Sequence, residues 1–191
     1  PGTYVAGTGA TICISCEAGT YSFKPAQTVC TDCAIGRYAS TLGEEECALC
    51  SPGTYIGDPG KSVCLACVPG TYATNFGQTR CDKCPAGKYE TTSDSQSSSS
   101  CEPCPTGHYQ YQSGESQCIA CPTGKYNPNF GGKSDIDCLK CPANTYQDRT
   151  GQSVCTNCPA GTSSAVTGQT TSDCSTCDVG SYTSGGKSCQ S

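Results

Sequence analysis

A cysteine pair spaced C-x-x-C is written ten times along this chain, at Cys13/Cys16, Cys30/Cys33, Cys47/Cys50, Cys64/Cys67, Cys81/Cys84, Cys101/Cys104, Cys118/Cys121, Cys138/Cys141, Cys155/Cys158 and Cys174/Cys177. A last cysteine, Cys189, follows. From Cys13 to Cys81 the pairs step by 17 residues, and the later steps are 20, 17, 20, 17 and 19. The string between pairs recurs too, as in Cys67-Val68-Pro69-Gly70-Thr71-Tyr72, a tip at Gly77, and the next pair Cys81/Cys84. Self-similarity at a short fixed period marks an array of small units rather than one globular domain.

Composition says what must hold such units together. Leucine, isoleucine, valine and phenylalanine make up only 20 of 191 residues, too few for an ordinary core, while cysteine at 21 reaches the level of a disulfide scaffold. Covalent bonds must then do what a large core does elsewhere. Disulfides at this density persist outside the cell, in the secretory lumen or at a cell surface. The net charge of -5 with few charged residues argues against nucleic acid, which needs a basic stripe. No apolar run reaches membrane-spanning length, so no membrane insertion by this segment is expected.

Sequence alone does not fix connectivity. The favoured scheme bonds the second cysteine of each pair to the first of the next: Cys16–Cys30, Cys33–Cys47, Cys50–Cys64, Cys67–Cys81, Cys84–Cys101, Cys104–Cys118, Cys121–Cys138, Cys141–Cys155, Cys158–Cys174 and Cys177–Cys189. It treats every repeat alike and leaves only Cys13 over, with its partner placed before Pro1. Bonding within each C-x-x-C is the alternative; it leaves Cys189 single and gives the regular loop no purpose. Both ends thus fall within a repeat, and residues 1–191 read as one continuous array, a slice of a longer protein. Closing one such loop stabilises by roughly 3 kcal/mol in the chain-entropy model.

The turn after each second cysteine has two spellings. Ser51-Pro52-Gly53-Thr54 puts proline and glycine at the central positions and predicts a type II turn; Cys84-Pro85-Ala86-Gly87 puts glycine last and predicts type I. Asn144 stands for glycine once, and asparagine tolerates positive φ. Ten of eleven tyrosines, Tyr4 included, lie five places after a cysteine position, and Tyr111 is extra. Each ring is expected to pack its tyrosine over a neighbouring disulfide as a miniature core. Phe23, Phe76 and Phe130 fall in the tips and are the candidate contact residues.

The longest departure, from Thr91 to Ser100, reads as a flexible or O-glycosylated tip. Glu44, Glu45 and Glu46 read as a solvated edge, and His108 as a surface residue. Ten C-x-x-C pairs also match zinc-ribbon spacing and would make five Cys₄ sites. That reading gives the Pro-Gly-Tyr ring no role and leaves Cys189 over. No histidine pair, phosphate loop or triad is present, so no enzymatic activity and no cofactor are expected.

The string Cys141-Pro142-Ala143-Asn144-Thr145-Tyr146…Gly151…Cys155-Thr156-Asn157-Cys158 resembles the ephrin-receptor-like (GCC2/GCC3) cysteine-rich repeat and is similar to the first module of tumour necrosis factor receptor cysteine-rich domains. The resemblance runs over essentially the whole chain. It implies extracellular exposure and disulfides that flank each Pro-Gly-Tyr loop.

The expected fold is a small disulfide-rich one: an elongated rod of tandem short β-hairpins with almost no helix, in which repeats touch only their neighbours. The expected function is that of a non-enzymatic extracellular structural protein, a spacer or a building block of a surface coat, filament or fibre. A ligand-binding receptor ectodomain is the alternative. Self-association, other extracellular structural proteins and O-glycans are the expected partners.

Overall fold

The computed structural model describes residues 1–7, 12–183 and 188–190. Among these residues the strands are two residues long and pair antiparallel into ten separate two-stranded sheets. In each, the Tyr position and the residue before it pair with the two residues inside the following C-x-x-C. Thr20–Tyr21 pairs with Thr31–Asp32, and Lys125–Tyr126 with Leu139–Lys140. The chain is thus a series of disulfide-closed hairpins, with β-structure limited by the glycine and proline on either side. Among the described residues no helix is long and apolar enough to cross a membrane.

Ten disulfides close the rings: Cys16–Cys30, Cys33–Cys47, Cys50–Cys64, Cys67–Cys81, Cys84–Cys101, Cys104–Cys118, Cys121–Cys138, Cys141–Cys155, Cys158–Cys174 and Cys177–Cys189. Cys13 carries none and is exposed. Most rings have a cysteine separation of 14; two have 17, Cys84–Cys101 and Cys121–Cys138. Each of these two takes up its extra length as a single 3₁₀ turn just before the closing cysteine, at Ser98–Ser100 and Asp135–Asp137. Three residues make one such turn, so the ring lengthens without changing its closure. The serine-rich run also carries hydrogen bonds of its own. Thr92 donates from its backbone and its hydroxyl to Glu90 Oε1, at 2.9 and 2.8 Å, and Ser95 is buried.

The two turn spellings converge on one geometry. Thr54 N–H donates to the Ser51 carbonyl, and Lys88 N–H to the Pro85 carbonyl, at 3.1 and 3.0 Å. Glycine is thus at the third turn position in both, with φ 87° at Gly53 and 83° at Gly87. That is the type II requirement. The type I turn expected from Cys84-Pro85-Ala86-Gly87 does not form: the hydrogen bond starts at the proline, not at the cysteine. Asn144 takes the same place at φ 65°.

The chain divides into two compact units, one of residues Pro1–Cys84 with Glu90–Cys101, the other of Pro85–Tyr89 with Glu102–Ser191. Inside each, rings interlock in the same way. In the first unit, Gly19 N–H donates to the Ala39 carbonyl and Gly36 N–H to that of Ile56, at 2.8 and 2.9 Å. In the second, Gly107 N–H donates to the Asn127 carbonyl and Gly124 N–H to that of Gln147, both at 2.8 Å. Each turn thereby grips the next ring.

A second contact skips a ring. A β-carbon on Gly19, Gly36 or Gly53 would run into the carbonyl of Gly60, Gly77 or Asp94, the tip residue two rings on; Gly107 and Gly124 meet Gly151 and Gly168 likewise. The expectation that repeats touch only their neighbours is corrected here. A glycine turn without a side chain lets a tip reach past the intervening ring.

The interior consists of three positions per ring. The second cysteine of each pair is buried from Cys16 to Cys158. The turn glycine lies three residues on, and the residue after the tyrosine three further. This last slot holds Ser22, Ala39, Ile56 and Ala73, then Glu90, Gln110, Asn127 and Gln147, all buried. The tyrosines themselves are only half-buried along the strands. Tyr21 does pack against Ala39, Cys33 and Cys47 of the following ring. Adjacent strand residues point to opposite faces, so when tyrosine faces outward its successor faces the cystine.

Candidate contact surface

The polar members of that interior slot satisfy themselves locally. Gln110 Oε1 accepts from the Gln112 backbone at 3.0 Å while its Nε2 donates to the Gln117 carbonyl at 2.8 Å. Gln147 repeats the pattern with Arg149 and Val154, and Asn127 with Asn129 and the His108 carbonyl. Glu90 is the ionisable version. Burial pushes its carboxyl up, but hydrogen bonds from Thr92, Ser95 and the Thr91 backbone outweigh this and hold its pKa below the usual carboxylate range. The slot is structural, with no space for a reactant.

Chemistry elsewhere is equally bounded. Twenty cysteines are in disulfides, Cys13 has no partner among the described residues, and among them no group of histidine, cysteine or acid side chains could hold a metal. Cysteines bonded in this way are not the thiolates that a zinc ribbon needs. His108 is half-buried rather than on the open surface. Its Nδ1 lies 3.1 Å from the Thr106 carbonyl, and a β-carbon on Gly151 would sit 3.1 Å from its Cε1. It serves as the seat for a tip two rings on.

What the fold cannot hide is its apolar side chains. Every leucine, isoleucine, valine and phenylalanine except Val5 and Ile56 is exposed. Interior positions are taken by cystine, glycine and small or amide side chains, so the aliphatic residues are left outside.

The three phenylalanines fall into two settings. Phe76 and Phe130 stand directly before the tip glycines Gly77 and Gly131, exposed by 66 % and 70 %. Their tips are fixed: Gly77 N–H donates to the Cys50 carbonyl and Gly131 N–H to that of Cys104, both at 2.8 Å. Leu42, before Gly43, is the aliphatic equivalent at 69 % exposure. Phe23 is different, and its expected place in a tip is corrected. The positive-φ tip residue of its ring is Ala26, and Phe23 lies beside Tyr21 instead, with ring centroids 6.2 Å apart. Lys24 Nζ stands 5.1 Å from the Phe23 centroid.

The family model described as tyrosine-protein kinase ephrin type A/B receptor-like matches the chain three times, at residues 53–101, 91–138 and 130–174. Those matches overlap into one span of nearly two-thirds of the chain. No curated protein matches it.

Proposed function

The chain belongs to the ephrin type A/B receptor-like family of disulfide-rich, non-catalytic extracellular modules, and on that premise we propose that it is a building block of an extracellular coat, filament or fibre. The observation that carries this reading is the near-complete exposure of its large apolar side chains. Single exposed aliphatics are ordinary. Here, though, almost the whole aliphatic complement is outside, on a surface with few charges to keep chains apart. Phe76 and Phe130 sit on hydrogen-bonded tips, so docking them against a partner orders little that is not already ordered. The natural cover is another copy of this chain or a similar extracellular structural protein. Exposed hydroxyls at Thr91, Ser93, Ser98 and Ser99 offer sites for O-linked sugar as additional cover.

Sedimentation velocity over a concentration series, with electron microscopy of the same samples, tests this. Species that grow with concentration, and shrink when Leu42, Phe76 and Phe130 are changed together to serine, are expected. A monomer at every concentration rejects assembly and leaves a spacer. The second reading, a ligand-binding receptor ectodomain, is favoured by a cleft of about 550 Å³ lined by Tyr21, Phe23, Arg37 and Glu46. A saturable ligand mapped to that cleft, with no self-association, would select it.

A further inference from the structure

Two rings alone carry an aromatic residue two places after the ring tyrosine: Tyr21-Ser22-Phe23 and Tyr109-Gln110-Tyr111. The residue between is buried in each, Ser22 at 0 % and Gln110 at 4 % exposure. The aromatic residue beyond it is exposed in each, Phe23 by 53 % and Tyr111 by 57 %. Each pair lines a cleft. The first, of about 550 Å³, is lined by Tyr21 and Phe23 together with Asp32, Arg37 and Glu46. The second, of about 360 Å³, is formed by Tyr109, Tyr111, Ser134 and Asp135.

Carboxylates stand in both clefts. Asp135 stands in the second with no cation among the lining residues. In the first, Asp32 and Glu46 stand with Arg37, whose Nη1 donates to the Cys47 carbonyl at 2.8 Å, and Lys24 lies over Phe23. An aromatic face beside a carboxylate is the chemistry that attracts a cation. The chain supplies an instance of it: the Lys24 ammonium, 5.1 Å from the Phe23 centroid. A net charge of -5 favours the approach of a basic partner to the molecule as a whole.

We propose that each cleft receives a cationic side chain, lysine or arginine, from a basic segment of a partner protein. The aromatic pair takes the apolar stem and one side of the charge, and the carboxylates, Asp32 with Glu46 or Asp135, take the other. The two sites are chemically alike and each is complete within its own part of the chain. The proposal does not depend on self-assembly, so its failure leaves that reading untouched.

The test is an NMR titration of the whole oxidised chain with tetralysine, with acetylated tetralysine and chitotetraose as comparisons. Saturable shifts of the Tyr21, Phe23, Tyr109 and Tyr111 ring protons by tetralysine alone, weakening with added salt, are expected. Phe23→Leu and Tyr111→Leu, at exposed positions, should each weaken their own cleft by about two- to five-fold and leave the other unchanged. Asp32→Asn with Glu46→Gln should remove the salt dependence at the first cleft. Equal binding of the acetylated peptide, or binding of chitotetraose in place of tetralysine, overturns the proposal. So does the absence of shifts at these rings.

Discussion

Gly36 faces the carbonyl of Gly77, the tip residue two rings further along, so closely that a β-carbon on Gly36 could not be accommodated. Both glycines have positive φ, 75° and 71°, and the Gly77 N–H is held by the Cys50 carbonyl at 2.8 Å. One backbone tip thus ties together three consecutive rings. The rigidity of such a unit comes from backbone packed on backbone, with hardly any aliphatic side chain between.

Gly36→Ala should therefore cost roughly 3 kcal/mol, combining positive-φ strain with a collision against fixed backbone. Gly161 has φ 82° but nothing described within 4 Å of the added carbon. Gly161→Ala should cost only ~1 kcal/mol, the conformational part. Denaturant unfolding of both variants checks this. Equal losses would mean that the stacked tip contributes nothing beyond the glycine conformation.

Removal of one ring closure should be a local event. The loop closed by Cys67–Cys81 has a cysteine separation of 14, which corresponds to about 3 kcal/mol of denatured-state entropy. In Cys67→Ser with Cys81→Ser, amide exchange should quicken in that ring, in the rings beside it and in the Cys33–Cys47 ring that its tip reaches, and stay slow in the Cys16–Cys30 ring. Reductant should unfold the chain, whereas EDTA should leave its melting unchanged. Zinc released by EDTA, or unfolding of every ring by the single lost bond, would contradict the ring architecture.

The slot after the tyrosine should tolerate less than the tyrosine position. Ala73 is 0 % exposed and its carbonyl accepts from Gly53 at 2.8 Å. Ala73→Leu must force apart the turn of one ring and the hairpin of the next, a cost of roughly 1–3 kcal/mol. Tyr72→Ala, at a half-buried position, should cost less and leave the turn contacts in place. Thermal melts of the two variants, compared side by side, check the order; a more damaging Tyr72→Ala would return the tyrosine to the centre of the fold.

The spacing of Cys67, Cys81 and Cys84 carries the ring architecture in plain view, because cysteine separation is a chemical pattern that side-chain substitution does not blur. The slot was not legible for the opposite reason. Ile56, Ala73, Glu90 and Gln110 share a place but no chemical type, so no hydrophobic period marks it. Only the residue's position after the tyrosine could have pointed to it. The turn at Pro85-Ala86-Gly87-Lys88 was misread because proline was assigned its commonest place, while the hydrogen bond from Lys88 shifts the turn by one residue. The reach of Gly36 to Gly77 was illegible for want of a signal at that range; both look like ordinary turn glycines. The clefts at Phe23 and Tyr111 were half legible: the extra tyrosine was conspicuous, but its likeness to Phe23 emerges only when both stand beside buried neighbours.

Glu90 makes the array sensitive to acid at one place. It alone among the slot residues ionises. Its carboxylate accepts from Thr92 at 2.9 and 2.8 Å, and its pKa is lowered although burial alone would raise it. A lowered folded-state pKa means that its contribution is complete above the ordinary carboxylate range. It is lost as pH falls from that range through the lowered value. Glu90→Gln keeps an oxygen for the Thr92 amide, as Gln110 does for Gln112 at 3.0 Å, and should cost about 1 kcal/mol at neutral pH. Below the carboxylate range the variant should equal or exceed the parent, because it has no proton to take up. Exchange rates of the Thr92 and Ser95 amides across an acid titration report this ring directly, with the exposed Glu45→Gln as the comparison. Parallel acid loss in parent and Glu90→Gln would show that the charge on Glu90 does not hold this loop.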